Sequence, residues 1–488
     1  MSETFKDYNY WRSLNQLAHN KEYRDYLERE FPENVTELTD QVSRRGFLRV
    51  MGASIALAGF AACRRPVQKI IPYNKSPEEV VEGQPNYYAT AMPFQDSLMG
   101  LVIETHEGRP TKAEGNKDHP ASKGNTGIYQ QASILNLYDP DRSRYIRNNG
   151  ERASWNDFLN HVRENFTEDS SIAVLSEANS SPTFQRLRRK FLEQFPNAQW
   201  VTYEPYGEEN IFEGHKQAFG ERLRVVKHFD QADVVLSLDD DFMSQAGDKN
   251  AVANIKRFTD RRKVRSTRDD MNRLYMVEND FSLTGSNADN RLRMKAGNLK
   301  NFVMALAAAL AEDLPELSAY RGYMNEMNDH PWIASLKKQL LDSQGTSMVT
   351  AGQQHDPSIH ATVAAINKAL GNAGQTVTYL SVPHAEESNQ ELAFANLVDD
   401  MGKGNVDNLV MLGTNPVFTA PADLNFENAL NQVGSSIHLS EYYDETSKLA
   451  TWHINKAHFM ESWGDGYSYE GTRSVIQPLI APLFSGKN

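Results

Sequence analysis

Short apolar runs alternate with stretches of helical spacing along most of the chain. Apolar runs occupy residues 172–175, 232–238, 347–352 and 408–413, and the first precedes an amphipathic helix pattern at 183–195. A strand, a helix and a further strand in succession form the unit of parallel sheets covered by helices. The pattern predicts an α/β fold with several sub-domains and doubly wound, mostly parallel sheets.

Polar residues follow the predicted strands. The apolar runs end in Ser, Gly or Asn, so polar loops are expected at the carboxyl edges of the strands, where doubly wound folds bind ligands. The chain contains neither a Gly-x-Gly-x-x-Gly fingerprint nor a Walker loop. A dinucleotide or nucleoside triphosphate site therefore has no support from these motifs.

The chain before residue 151 follows other patterns. Residues 1–42 carry an apolar stripe at helical spacing that includes Trp11 and Leu14 and stops at Pro32, which predicts a cytoplasmic pre-segment or a docking helix. Turn-forming Gly and Pro residues are frequent after residue 63. The expected parts are a pre-segment with an export signal at 1–63, a small domain of strands and turns at 64–150, and α/β domains at 151–488.

Composition and charge narrow the class of protein. With 488 residues, 40% of them hydrophobic, the chain can bury at least one large core. Its net charge of −13 argues against nucleic acid as a partner, because binding phosphates requires a concentrated basic surface. One cysteine cannot form an internal disulfide, ligate an iron–sulfur cluster or build a cysteine zinc finger. No apolar stretch reaches the roughly 18 residues that a membrane span needs.

A twin-arginine export motif precedes a weakly apolar run rich in Gly and Ala. The motif consists of Ser43, Arg44, Arg45, Phe47 and Leu48. Paired arginines alone are typical of a solvated helix face, but the apolar run at the required position favours export across the inner membrane of a bacterium. We expect the protein on the periplasmic side of that membrane.

The apolar run ends at Cys63. Small residues precede this cysteine as they do at lipoprotein cleavage sites, which makes Cys63 a candidate lipid anchor. Phe60 stands where Leu is usual, and Arg64 follows the cysteine directly. A buried free thiol is the alternative interpretation.

Several sequence blocks resemble the molybdopterin oxidoreductases. The first-domain blocks are residues 108–124 and 137–142, a middle segment is 284–291, and a later strand and loop are 412–416. Together with the displaced export signal and the segment 461–465, they make the whole chain similar to the molybdopterin-oxidoreductase-like B subunit of alternative complex III, in the twin-arginine-translocated variant of the family. That resemblance implies a molybdopterin-oxidoreductase-like fold and a place in a quinol-oxidising respiratory assembly.

The resemblance also indicates which ligands the chain lacks. Catalytic relatives hold an iron–sulfur cluster on amino-terminal cysteines, and a cysteine typically follows the position of Lys123-Gly124, where this chain has Asn125, Thr126 and Gly127. We expect no cofactor in this chain, and molybdopterin in particular is not expected. No catalytic, cofactor-binding or metal-ligating residue is assigned. Longer relatives carry their iron–sulfur clusters in a following ferredoxin-like region, which here is expected in a partner or in a longer form of the chain.

Three functions agree with these observations. The leading one is a cofactor-less scaffold of a quinol:electron-acceptor oxidoreductase that contacts an iron–sulfur subunit or domain, a multihaem cytochrome c and quinol-binding integral membrane subunits. The alternative is an active molybdopterin-dependent oxidoreductase with a non-sulfur metal ligand. A third is a periplasmic maturation or binding protein that works alone.

Other polar clusters have a structural and a functional interpretation. His438, His453 and His458 lie near several carboxylates, but His453 and His458 are five positions apart and do not share a helical face. Turn capping and interface contacts are favoured over a metal site.

Three smaller features are predicted to be structural as well. The acidic run 239–241 follows a strand and is expected to be a solvated loop rather than a cation site. Arg109 and Lys112 are expected to hold their loop through carboxylates. His119, which precedes Pro120, is expected to fix a turn.

Overall fold

A computed structural model describes residues 80–81, 83–246, 248–267, 269–323, 325–381 and 389–488. These residues belong to one compact unit, Glu79–Asn488. The predicted export signal and Cys63 lie outside the described residues. Among the helices that the structure describes, none is both long and apolar enough to span a membrane.

The strands are numbered in chain order. They are β1 Asn86–Phe94, β2 Ser97–His106, β3 Arg109–Gly115, β4 Arg147–Asn148, β5 Glu151–Arg152, β6 Ile172–Ser176, β7 Gln199–Thr202, β8 Leu223–Lys227, β9 Val234–Leu238, β10 Arg273–Glu278, β11 Asn290–Arg293, β12 Ser347–Ala351, β13 Val377–Ser381, β14 Asn408–Leu412, β15 Ser435–Ser440, β16 Trp452–Asn455, β17 Gly464–Tyr467 and β18 Arg473–Ile476.

The helices are numbered in the same way. They are α1 Ile128–Leu137, α2 Trp155–Asn165, α3 Pro182–Gln194, α4 Glu209–Phe219, α5 Ala251–Asp260, α6 Leu283–Ser286, α7 Ala296–Leu310, α8 Pro331–Asp342, α9 Pro357–Ala369, α10 Gln390–Gly402, α11 Pro416–Thr419, α12 Phe426–Leu430 and α13 Glu445–Leu449, with 3₁₀ turns at Pro315–Tyr320, Ala422–Leu424 and Phe459–Glu461.

The largest sheet is built from two separate stretches of the chain. Its order is β5-β4-β16-β15-β14-β6-β7, and β16, β15, β14, β6 and β7 run parallel. The chain leaves this sheet after β7 and returns at β14. Ala173 and Leu409 pair in register at its centre and pack against Phe394 and Leu397 of α10. Alternate positions of the strands therefore supply one layer of the core.

A second sheet, of order β11-β10-β9-β12, lies within the intervening stretch. All its pairings are parallel. Leu236 and Val349 face a core that includes Phe302 of α7, whereas Val235 and Met348 face a core that includes Phe258 of α5. Because both faces are covered by helices, the central strand β9 is almost wholly apolar, as buried parallel strands usually are.

Three antiparallel elements complete the fold. β1, β2 and β3 form a three-stranded sheet, β8 pairs with β13, and β17 pairs with β18 as a hairpin. The hairpin lies against the three-stranded sheet, where a Cβ atom on Gly466 would lie 2.9 Å from Leu98. Residues from opposite ends of the described chain therefore share one layer.

The strand-and-helix pattern predicted from the apolar spacing is confirmed. The predicted strand 172–175 is β6, and the predicted helix 183–195 is α3, which begins at Ser181 as N-cap and Pro182 as its first residue. Helix α1 was not predicted. Its buried face contains the polar residues Gln130 and Ser133, which hide the apolar periodicity.

Candidate functional site

Each parallel sheet reverses its strand order at one point. In the four-stranded sheet, β10 and β11 extend to one side of β9 and β12 lies on the other; in the largest sheet, β7 and β14 lie on opposite sides of β6. Open α/β sheets bind ligands outside the carboxyl ends of the strands at such switch points. The residues after β6 and β14, and those after β9 and β12, therefore define two candidate sites.

A cleft of about 460 Å³ lies at the β6/β14 switch point. Glu177 follows β6 and Gly413 follows β14, and both line the cleft together with Glu441, Lys456 and Asp465. Its volume falls in the range of small-molecule sites, roughly 300–1,000 Å³. Size alone therefore permits a ligand.

The charges of the cleft disfavour an anionic ligand. Lys456 Nζ lies 3.2 Å from Glu177 Oε1, so the ammonium is paired within the protein. Glu441 and Asp465 add carboxylates, and burial raises the pKa of Glu441. A Cβ atom on Gly413 would lie 2.5 Å from Glu177 Oε1. A phosphate that approached the glycine turn would therefore meet a carboxylate rather than free N–H donors.

The β9/β12 switch point is almost filled by protein. A cavity of about 30 Å³ remains, lined by Asp240, Gln353 and His360 among others. Lys227 Nζ lies 2.6 Å from Asp240 Oδ2 and 2.6 Å from Asp248 Oδ2. Since one water needs about 10–15 Å³ of such space, the cavity has room for one or two waters and not for an organic cofactor.

A charge cluster borders this cavity and consists of Asp96, Glu208, Arg224, Lys249 and Tyr469. Arg224 bonds to Asp96 and lies 3.3 Å from Glu208, and Lys249 Nζ lies 3.4 Å from Asp96 Oδ1. Tyr469 donates its hydroxyl to Glu208 Oε1 at 2.7 Å, and Arg224 stacks 4.4 Å from its ring centroid. The charges of the cluster satisfy one another.

Charged groups of both the cleft and the charge cluster shift the pKa of Glu204. Burial raises its pKa to about 7; Lys249 opposes the rise, and the negative charges of Glu177 and Asp96 add to it. The Ala178 N–H donates to Glu204 Oε1 at 2.8 Å. The cleft and the charge cluster are therefore electrostatically coupled through this carboxyl.

The three histidines considered as metal ligands bond to protein groups instead. His438 and His453 share Ser447, whose Oγ lies 2.8 Å and 2.9 Å from their Nδ1 atoms. His453 Nε2 lies 2.6 Å from Ser143 Oγ. His458 caps the 3₁₀ turn that follows it. Among the described residues, no group of three His, Cys, Asp or Glu side chains is arranged to hold a metal ion.

Asp239, Asp240 and Asp241 do not form a solvated loop, so that prediction is wrong. Asp240 is 1% exposed and pairs with Lys227. Asp241 Oδ1 accepts hydrogen bonds from the backbone and hydroxyl of Thr284, at 2.8 and 2.6 Å. The run lies at the switch point, where the sheet and the following helices bury it.

Of the structural roles predicted for residues in the first-domain block, two are confirmed and one is wrong. Lys112 pairs with Glu114, as predicted. Arg109 lies 4.8 Å from the ring centroid of Tyr138, so its predicted carboxylate partner is replaced by an aromatic face. His119 Nδ1 accepts a hydrogen bond from the Ala121 N–H at 3.3 Å, which fixes the predicted turn.

Sequence reasoning missed the charge cluster and the acidic cleft. Lys227, Lys249 and Arg224 have no motif that distinguishes them from surface residues. The usable signal was the presence of two charged residues, Arg224 and Lys227, inside the otherwise apolar strand β8, since charged side chains are rare on buried strands unless they are paired.

Comparison with known proteins gives a fold and a relative. No protein-family model matches the chain. The menaquinone reductase molybdopterin-binding-like subunit of Nitratidesulfovibrio vulgaris (strain Hildenborough) is 20% identical over 497 aligned positions, which cover 91% of this chain and 70% of that protein. Acetylene hydratase from Pelobacter acetylenicus is similar in structure, with a TM-score of 0.60 and 13% identity over 82% of this chain and 67% of that one. The fold is α/β and molybdopterin-oxidoreductase-like, as predicted.

Proposed function

Taking this fold and this relative as the starting point, we propose that the chain is a cofactor-free scaffold subunit of a membrane-associated quinone oxidoreductase complex. The relative is named as a subunit of a menaquinone reductase, which supports a role beside quinone-reactive partners. Alternative complex III is the assembly that the sequence resemblance favours.

One observation carries the proposal: protein side chains fill the β9/β12 switch point, and carboxylates line the cleft at the β6/β14 switch point. A molybdopterin dinucleotide brings phosphates and needs donors along its length. The β6/β14 cleft offers Glu177, Glu441 and Asp465 against one paired ammonium, and the β9/β12 cavity holds only about 30 Å³. These residues do not fit such a cofactor.

The proposed partners follow from what a scaffold lacks. Electron transfer needs bound redox centres, so we assign these to an iron–sulfur subunit or domain and to a multihaem cytochrome c. Quinol-binding integral membrane subunits would contact the membrane-facing side of the scaffold, at the periplasmic surface of the membrane. The twin-arginine motif and the candidate anchor Cys63 support a position at that membrane surface.

Metal analysis of the intact complex tests the proposal. We expect molybdenum and tungsten far below one atom per chain, and no fluorescent pterin after oxidative release. A molybdopterin enzyme purified from the same cells serves as the positive control for metal supply. Stoichiometric molybdenum or tungsten would overturn the proposal and favour the active oxidoreductase, in which the β6/β14 cleft would take part of the cofactor.

Co-purification separates the scaffold from a protein that works alone. A tag on this chain should recover haem-containing and iron–sulfur-containing subunits in constant ratio from detergent-solubilised membranes. Recovery of the chain as a free monomer, with no such subunits, would contradict the scaffold and support a separate binding protein.

A further inference from the structure

The charge cluster brings together five parts of the fold. Asp96 lies in the turn between β1 and β2, Glu208 directly before α4, Arg224 in β8, Lys249 shortly before α5, and Tyr469 between the strands of the β17–β18 hairpin. The three-stranded sheet, the region around the four-stranded sheet and the hairpin therefore meet at one buried point.

The cluster is deeply buried. The side chains of Asp96 and Arg224 are each 2% exposed, that of Glu208 is 4% and that of Lys249 is 5%. Burial raises the pKa of Tyr469 well above its ordinary value, so its hydroxyl remains a neutral donor. Two carboxylates face one guanidinium and one ammonium, which balances the charge of the cluster.

Its place in the fold coincides with a ligand position. Glu208, Lys249 and Tyr469 line the residual cavity of the β9/β12 switch point. Asp96 adjoins Gln95, which lines the cleft of the other switch point. Ligand sites of proteins commonly lie between domains and at such switch points, so the cluster stands where a ligand would otherwise join these parts.

We infer that the charge cluster replaces a bound cofactor as the element that joins the three-stranded sheet, the four-stranded-sheet region and the hairpin; this inference rests on the proposed cofactor-free function. The mechanism is charge balance. A buried charge that loses its partner is strongly destabilising, whereas a matched set of charges fixes one arrangement of the groups that carry it.

The test compares single and double charge removal in the full-length chain. Arg224→Met leaves two carboxylates against Lys249, and Asp96→Asn leaves two cations against Glu208. Each single variant should lower the midpoint of thermal unfolding by about 5 °C or more. The double variant retains the neutral pair of Glu208 and Lys249 and should recover more than half of the summed loss.

A matched pair controls for ordinary ion pairing. Lys403 and Asp399 form an ion pair, and their side chains are 60% and 62% exposed. Lys403→Met, Asp399→Asn and their double variant should give small shifts without recovery. If a charge-removing variant of the cluster does not fold, Arg224→Lys, which keeps the charge, should fold with a smaller loss and preserve the comparison with Asp96→Asn.

Hydrogen exchange then distinguishes a joining role from a local one. In Arg224→Met, amide protection should fall together in β1–β2, in β8 and in the hairpin. Additive losses in the double variant, or a change limited to β8, would overturn the inference. Molybdenum measured in the same preparations decides the proposed function separately, because a cofactor-free chain with additive losses would contradict only the role of the cluster.

Discussion

Arg142 and Glu461 form a two-point ion pair although 319 positions separate them in the chain. The two nitrogen–oxygen distances are 3.1 and 2.7 Å, and the side chains are 2% and 0% exposed. Burial opposes the charged carboxyl, but hydrogen bonds from Arg142 and from two backbone N–H groups lower the pKa of Glu461. Two of the blocks that carry the family resemblance, 137–142 and 461–465, therefore meet in this pair.

Loss of one partner in this pair should destabilise the fold. We expect Arg142→Met to lower the free energy of unfolding by about 3–5 kcal/mol, since Glu461 would be left charged and buried without its cation. Urea unfolding followed by circular dichroism measures the change. Lys403→Met is the control, because Lys403 and its partner Asp399 are 60% and 62% exposed. An equal loss in both variants would contradict the role of burial.

Two histidines should make stability depend on pH below neutrality. Burial lowers the pKa of His453 and of His458 to about 4, below the value of about 6.5 in an unfolded chain. Their neutral forms therefore stabilise the fold fully above pH 6.5, and this contribution falls as the pH drops toward 4. Each accounts for up to about 1.4 kcal/mol per pH unit in that window.

Replacement of His453 isolates its share of that slope. His453→Asn should reduce the pH dependence of the unfolding free energy between pH 6.5 and 4, even if it lowers stability at pH 7. Urea unfolding of the variant and of the parent chain at several pH values across this window measures both slopes. A slope identical in His453→Asn and the parent chain would show that His453 is protonated normally in the fold.

Glu204 should have the opposite effect of pH. Its pKa is raised by burial to about 7, so the folded chain holds a proton there that the unfolded chain releases near pH 4.5. Stability contributed by the neutral carboxyl is present below pH 4.5 and is lost as the pH rises to 7. Glu204→Gln should therefore stabilise the chain at pH 8 by about 2–3 kcal/mol relative to its effect at pH 4.5. Urea unfolding at both pH values tests this, with the exposed Glu193→Gln as control.

Export and anchoring make separate predictions. Replacing Arg44 and Arg45 with Lys should leave the chain in the cytoplasm, whereas Cys63→Ser should allow export but release the isolated subunit from membranes. Fractionation and immunoblotting follow both outcomes. Continued membrane attachment of the Cys63→Ser subunit without its partners would refute the anchor and leave export untouched.

Local sequence patterns predicted the strands but not the buried ion pairs. The strands β6, β9, β12 and β14 follow from apolar runs, because burial of a parallel strand on both faces is visible in its own residues. Asp240 can be buried because it pairs with Lys227, which lies in another sheet. A pattern of neighbours in sequence cannot show such a partner, so a buried acidic run was predicted to be a solvated one.

The same limit applied to the candidate sites. Polar loops at the carboxyl edges were predicted, and the cleft and cavity lie there. Whether those loops present donors or carboxylates depends on residues such as Asp96, which comes from a different sheet. The position of the sites was therefore predictable, and their charge was not.

The largest sheet is built from two distant stretches of the chain, and this arrangement determines when the sheet can be completed. β14 lies between β6 and β15, and the contact of Ser171 with Asp407 at its edge joins residues 236 positions apart. During synthesis, β6 and β7 must wait with one open edge until residues 408–412 leave the ribosome. Pairing across such a distance is slow, so the sheet is completed only after the residues between β7 and β14 have been made. Chaperones that cover exposed strand edges should therefore bind the nascent form and release it only once β14 is in place.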